Sequence, residues 1–175
     1  MNIGILSLQG SFAEHAQILD KLEVQYELVR DLSTLQKITH LIIPGGESPT
    51  MLKLLKSFDM WKTLDNRAKN GEIKILGTCA GAIICERLGM NIKIDRNAYG
   101  AQQSSFSAPL ESDKFPHLRG VFIRAPKFHD VGDSVDILAT FEDHPVLIEE
   151  KNFLAAAFHP EIVGDTRIHE YFLKK

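Results

Sequence analysis

The first half of the chain alternates short apolar runs with segments of helical period. Residues 3–8 open on an apolar run and read as a β-strand. Ser11 stands three residues before Glu14, a Ser-x-x-Glu capping box that predicts a helix over residues 12–22. A strand follows at 26–29, and Leu41-Ile42-Ile43 forms another that stops at Pro44-Gly45-Gly46. Ser48 is a good N-cap with Pro49 at the first helical position. Met51, Leu54, Leu55 and Phe58 then recur at helical spacing. A helix over 61–68 ends at Asn70-Gly71, residues 73–77 read as a buried strand, and 80–88 as a helix. Strands alternating with helices of this length imply right-handed βαβ units and a mainly parallel sheet covered on both faces.

The second half changes character. Segments 120–124, 135–141, 146–150 and 153–158 are strand-like and closely spaced, with Glu150-Lys151-Asn152 as a hairpin turn. They predict an antiparallel extension that carries the chain back to a final helix over 166–173. No repeat, low-complexity tract or long linker interrupts the 175 residues, which suits one domain spanning 1–175.

Composition removes several classes of function. A hydrophobic share of 44% with 25% charged residues matches a soluble globular protein and excludes disorder. The 20 basic and 23 acidic residues are well mixed, so the basic patch expected of a nucleic-acid partner is missing. No apolar stretch approaches the roughly 20 residues of a membrane helix. The opening residues lack the basic start of a signal peptide. Cys79 and Cys85, six positions apart, face different sides of a helix and cannot pair. Two unpaired thiols point to a reducing compartment, the cytoplasm.

The strongest local chemistry is Gly77-Thr78-Cys79-Ala80-Gly81, between a strand and a helix. It has the pattern of a nucleophile elbow, whose tight turn tolerates only small residues two positions either side of the reactive atom. A sulfur there faces the positive end of the helix dipole and free N–H groups, which suits a nucleophile. The structural alternative, a small core cysteine, fits Cys85 better. A cysteine nucleophile needs a base, and the base an orienting group. Of seven histidines, His159 ends a predicted strand, with Glu161 two residues on and on the same side of an extended segment. Pro160 between them suits a strand end, and a plain strand-ending turn is the alternative. Metal-ligand spacings such as H-E-x-x-H or paired C-x-x-C are absent from the sequence. Pro44-Gly45-Gly46-Glu47-Ser48 and Gln9-Gly10 also end strands, so both belong on the edge that carries the elbow. A glycine-rich loop there can hold an oxyanion or a carboxylate.

These residues together resemble the class I triad glutamine amidotransferases. More closely, they are similar to the glutaminase subunits of glutamine-dependent pyridoxal 5′-phosphate synthases. The resemblance rests on Leu8-Gln9-Gly10, Pro44-Gly45-Gly46-Glu47-Ser48, Gly77-Thr78-Cys79-Ala80-Gly81, Asp95-Arg96-Asn97, Val121-Phe122-Ile123-Arg124-Ala125-Pro126 and Phe158-His159-Pro160-Glu161. It implies a flavodoxin-like three-layer α/β/α sandwich, with a mainly parallel central sheet and an antiparallel extension. It implies that Cys79 attacks the carboxamide of L-glutamine, that the N–H groups of Gly46 and Ala80 hold the oxyanion, and that His159, oriented by Glu161, moves the protons. Gly46, Glu47, Ser48, Arg96, Ile123 and Arg124 match the family's glutamine-binding positions. The implied partner is a (β/α)8-barrel pyridoxal 5′-phosphate synthase subunit that receives the ammonia; no bound cofactor is implied. The sequence departs from the family's pattern in a short connection over 88–96 and in Tyr99-Gly100-Ala101-Gln102, where the family commonly has an arginine for Ala101. Other readings of the elbow are a hydrolase of similar fold acting on another amide, or a subunit that only regulates a partner.

Overall fold

The computed structural model describes residues 1–96 and 105–175. Its first half runs β1 (Ile3–Leu6), α1 (Phe12–Lys21), β2 (Glu27–Val29), α2 (Leu32–Lys37), β3 (His40–Ile43), α3 (Ser48–Ser57), α4 (Met60–Lys69), β4 (Lys74–Thr78) and α5 (Ala80–Arg87). The second half runs β5 (Lys93–Asp95), β6 (Phe106–Pro109), β7 (Arg119–Phe122), β8 (Lys127–His129), β9 (Asp136–Phe141), β10 (His144–Glu150), β11 (Phe153–Ala156) and α6 (Arg167–Leu173).

Seven strands form the central sheet in the order β2-β1-β3-β4-β11-β10-β9. The first five are parallel, and β10 and β9 continue the sheet antiparallel. This is the mixed sheet that the apolar periodicity predicts, with the hairpin turn at Lys151 taking a positive φ of 51°. Strands β1, β3 and β11 are buried at every position, as expected where both faces are covered. The helices fall into two groups. Helix α4 packs on α2 and α3, and α3 on α5. Helices α1 and α6 meet each other through His15 and His169.

Three expectations need correcting, and helix α2 and strands β5, β6 and β8 form where the sequence pattern predicts no element. The segment around 120–124 does not extend the main sheet. Its strand β7 pairs with β6 as a separate two-stranded ribbon, held by stacking of Phe106 on Phe122 at 4.8 Å. Period-2 patterning shows that a strand forms but not which strand it joins. The Ser11 capping box does not form, because the Ser11 hydroxyl donates to Glu161 instead of capping α1. Helix α3 starts one residue early, with Glu47 as its N-cap and Ser48 buried inside the first turn. Helix α2 was not expected, although Asp31 caps it by accepting from the Thr34 N–H at 2.8 Å.

The short connection over 88–96 is folded inward. Met90 and Ile92 are buried, and the Asn91 N–H donates to the buried carboxylate of Glu150 at 2.8 Å. Strand β5 then pairs antiparallel with β8. Residues 97 and 99–102 lie outside the described residues.

Helix α5 sits unusually close to the sheet. A Cβ added to Gly81 would run into the Ile43 carbonyl, and one added to Gly77 would come within 2.6 Å of Cys85 Sγ. Gly81→Ala is therefore expected to cost about 1–3 kcal/mol, read as a lower urea midpoint. An unchanged midpoint would contradict this packing.

Candidate active site

The carboxyl ends of the parallel strands converge on one cavity of about 570 Å³. Gln9 and Gly10 arrive after β1, the Gly45-Gly46 loop after β3, Cys79 after β4 and His159 after β11. Convergence at this edge follows from parallel strands sharing one direction.

Cys79 has φ 50° and ψ −106°, a conformation that L residues rarely adopt and that costs about 1–3 kcal/mol. Its N–H donates to the Ala156 carbonyl of β11 at 2.8 Å, which anchors the turn to the neighbouring strand. The residue is 7% exposed and lines the cavity, and its thiol lies 3.8 Å from the Ile123 carbonyl. Ala80 opens α5, where a backbone N–H has no intrahelical partner.

His159 Nδ1 lies 2.7 Å from Glu161 Oε1, and both side chains are buried. Burial alone would depress the His159 pKa. The neighbouring Cys79 sulfur and the Glu161 carboxylate, which shares a hydrogen bond with the ring, overcome it and raise the value to about 10. Burial would likewise raise Glu161, but His15 and His159 bring it down to about 2. At neutral pH the pair is therefore an imidazolium on a carboxylate, with Nδ1 committed to Glu161 and Nε2 left for the sulfur.

The glycine loop is fitted to these groups. A Cβ on Gly45 would collide with the His159 ring, and one on Gly46 with the Gln9 amide. Gln9 Oε1 accepts the Glu47 N–H at 2.8 Å, and Gly45 O accepts the Ser11 N–H at 3.0 Å. The loop is thus pinned from the β1 side.

Every expected site residue except Glu161 lines the cavity: Cys79, His159, Gly46, Ala80, Glu47, Ser48, Arg96, Ile123 and Arg124. Glu161 stands behind His159, away from the cavity wall. Arg124 carries a second strained backbone, φ 47°, and the ribbon bearing it is tied to the site by the His159 N–H donating to Val121 O at 2.9 Å. Sequence reasoning missed Ser11, His15, Thr78 and His169 behind the carboxylate. A signal existed for both histidines. His15 lies on the same helical face as Ile18 and Leu19, and His169 on that of Phe172. Among the described residues no group of three or more His, Cys, Asp or Glu side chains could hold a metal ion.

The chain is similar to known proteins over nearly its whole length. The model of the SNO glutamine amidotransferase family matches residues 5–175. A pyridoxal 5′-phosphate synthase subunit PdxT from Thermosipho africanus is 43% identical, over 99% of this chain and 97% of its own. The PdxT of Thermus thermophilus is 39% identical over 98% and 96%. A crystal structure of a glutamine amidotransferase superposes with a TM-score of 0.92 at 38% identity, over 99% of this chain and 98% of the other. A glutamine amidotransferase from Thermotoga maritima, 16% identical, shares the fold at a TM-score of 0.67, over 99% of this chain and 84% of the other.

The His159–Glu161 pair has a pH signature. The raised His159 value contributes stability that is complete below its ordinary 6.5 and is lost as pH climbs through about 10. The lowered Glu161 value contributes stability that is complete above its ordinary 4.5 and is lost as pH falls through about 2. The stability gap between wild type and Glu161→Gln should be widest between pH 4.5 and 6.5 and shrink on both sides. Denaturant unfolding across pH measures it, and a gap constant over the whole range would contradict the ion pair.

Proposed function

The chain belongs to the SNO glutamine amidotransferase family, and on that footing we propose that it is the glutaminase of a pyridoxal 5′-phosphate synthase, working through Cys79, His159 and Glu161. The observation that carries this reading is one cavity bringing together a strained cysteine, an imidazole held 2.7 Å from a buried carboxylate, and a glycine loop.

The chemistry follows from the geometry. Cys79 Sγ attacks the carboxamide carbon of L-glutamine, and the carbonyl π electrons move onto oxygen. The backbone N–H groups of Gly46 and Ala80 hold that oxyanion. His159 gives its Nε2 proton to the nitrogen, the C–N bond breaks, and ammonia leaves a γ-glutamyl thioester on Cys79. The neutral imidazole then takes a proton from water, hydroxide adds to the thioester, and glutamate leaves as sulfur regains its electrons. Glu161 keeps the ring oriented throughout. Arg96, exposed at the cavity wall, suits the substrate's α-carboxylate. Gly46, Glu47, Ser48, Ile123 and Arg124 form the rest of the glutamine site.

The relatives' name describes one subunit of a synthase, so the ammonia goes to a partner subunit that builds pyridoxal 5′-phosphate. We take that partner to be a (β/α)8 barrel and residues 1–175 to be one amidotransferase domain, supported by the contiguous apolar core among the described residues. A cytoplasmic setting fits two free, buried cysteines. Neither a membrane nor a nucleic acid is a partner in this reading. No helix among the described residues is long and apolar enough to cross a membrane, and the charges are evenly mixed.

With the synthase subunit present, Cys79→Ala should release no glutamate from glutamine. Glu161→Gln should lower kcat about a hundredfold, in the range of acid–base effects. Undiminished glutamate release by Cys79→Ala would remove the proposal. Glutaminase activity should be low without the synthase, because ammonia set free there is wasted, and equal rates with and without it would contradict the coupling.

A further inference from the structure

Behind Glu161 lies a buried line of polar side chains that the chemistry above leaves unused. Glu161 Oε1 takes two donors, His159 Nδ1 at 2.7 Å and the Ser11 hydroxyl at 3.0 Å. Oε2 is buried and, among the described residues, has no hydrogen-bond partner. It faces His15 Nε2 at 3.6 Å, short of a hydrogen bond but well within electrostatic range. That same nitrogen is 3.1 Å from Thr78 Oγ1, in the residue just before the nucleophile. On its other side, His15 Nδ1 is 2.8 Å from His169 Nε2. His169 Nδ1 is the second buried polar atom without a partner.

The two unpartnered atoms determine which way the protons point. Burial lowers the pKa of both rings, His169 to about 3, so both are neutral and each carries one proton. If His15 Nδ1–H donated to His169, the His169 proton would sit on Nδ1, a buried donor with no acceptor. The bare Nε2 lone pair of His15 would then face a carboxylate oxygen. If instead His169 Nε2–H donates to His15 Nδ1, the unpartnered His169 Nδ1 is a bare lone pair. His15 then carries its proton on Nε2, aimed between Thr78 Oγ1 and Glu161 Oε2. Only the second arrangement leaves no buried N–H stranded and sets a positive edge against the carboxylate.

We infer that His15 is a positioning residue of the glutaminase site: His169 locks it in the Nε2–H tautomer, and that N–H braces the face of Glu161 opposite His159. The inference rests on the reading that Glu161 orients His159. The brace matters most midway through turnover. Once His159 has passed its proton to the departing ammonia, Glu161 remains a buried anion beside a neutral ring. The His15 N–H and the Ser11 hydroxyl are then the donors that hold it until water attacks. Helix α6, through His169, thereby reaches a site that it does not line. The other titratable groups facing this line are Glu14 beside His15, Asp165 beside His169, and Cys79 and His159 on the cavity side.

The test uses the full chain in complex with its synthase subunit. His15→Leu keeps bulk but removes the donor, whereas His15→Gln puts an amide N–H near the position of Nε2. His15→Leu should lower kcat about tenfold with KM unchanged, the order expected when a charged acceptor loses a buried partner, and His15→Gln should recover most of it. Nitrogen-15 NMR of the histidine-labelled full chain should show both rings neutral, each with its proton on Nε2. This readout needs no variant and decides the matter if His15→Leu does not fold. Wild-type kcat in folded His15→Leu, no recovery in folded His15→Gln, or a proton on His15 Nδ1 would overturn the inference. If Glu161→Gln is impaired while His15→Leu is not, the brace alone is wrong. If Glu161→Gln is unimpaired, the reading beneath it is wrong.

Discussion

The turn that leaves β4 is the constraint from which the rest of the site is positioned. Strand β4 lies between β3 and β11, and both neighbours grip its exit. On one side Gly81 lets α5 come down onto the Ile43 carbonyl at the end of β3. On the other, the Cys79 N–H binds Ala156 O of β11. The pairing of Ala156 with Thr78 fixes where β11 ends relative to the elbow, and three residues later it delivers His159. A shift of one residue in that pairing would turn β11's side chains to the opposite face and move the imidazole from the sulfur. The Cys79 sulfur, the Ala80 N–H and the His159 ring are therefore set by one local register.

Electrostatics takes over where backbone geometry stops. A carboxylate as deeply buried as Glu161 is unfavourable unless it is paired and hydrogen-bonded. The molecule supplies the His159 ring, the Ser11 hydroxyl and the edge of His15. This accounts for a serine that fails to cap its helix and for two histidines on otherwise apolar helix faces. Each gives up an ordinary structural role to a single anion.

The sequence makes the elbow legible because its requirement is steric and local: small residues two positions either side of Cys79, between strand and helix. His159-Pro160-Glu161 is legible because i and i+2 of an extended segment point together. The parallel half of the sheet follows from apolar runs of the right length. What escaped depends on distant partners. Ser11 looks like a cap because Glu14 completes the box, and nothing near it in the chain announces Glu161. The pattern of β7 does not reveal its sheet, because its alternation is the same whichever strand it joins. His15 and His169 lie 154 positions apart, and only the meeting of α1 with α6 makes them a pair. The buried Glu150 that fixes the short connection over 88–96 was invisible for the same reason.

The most direct measurement is mass spectrometry of the acid-quenched complex after brief exposure to glutamine. A γ-glutamyl group should appear on the peptide containing Cys79, and on no other, within the first turnover. It should vanish as glutamate is released. Glutamate formed without any adduct on Cys79, or an adduct on Cys85 in its place, would contradict the thioester chemistry built on this elbow.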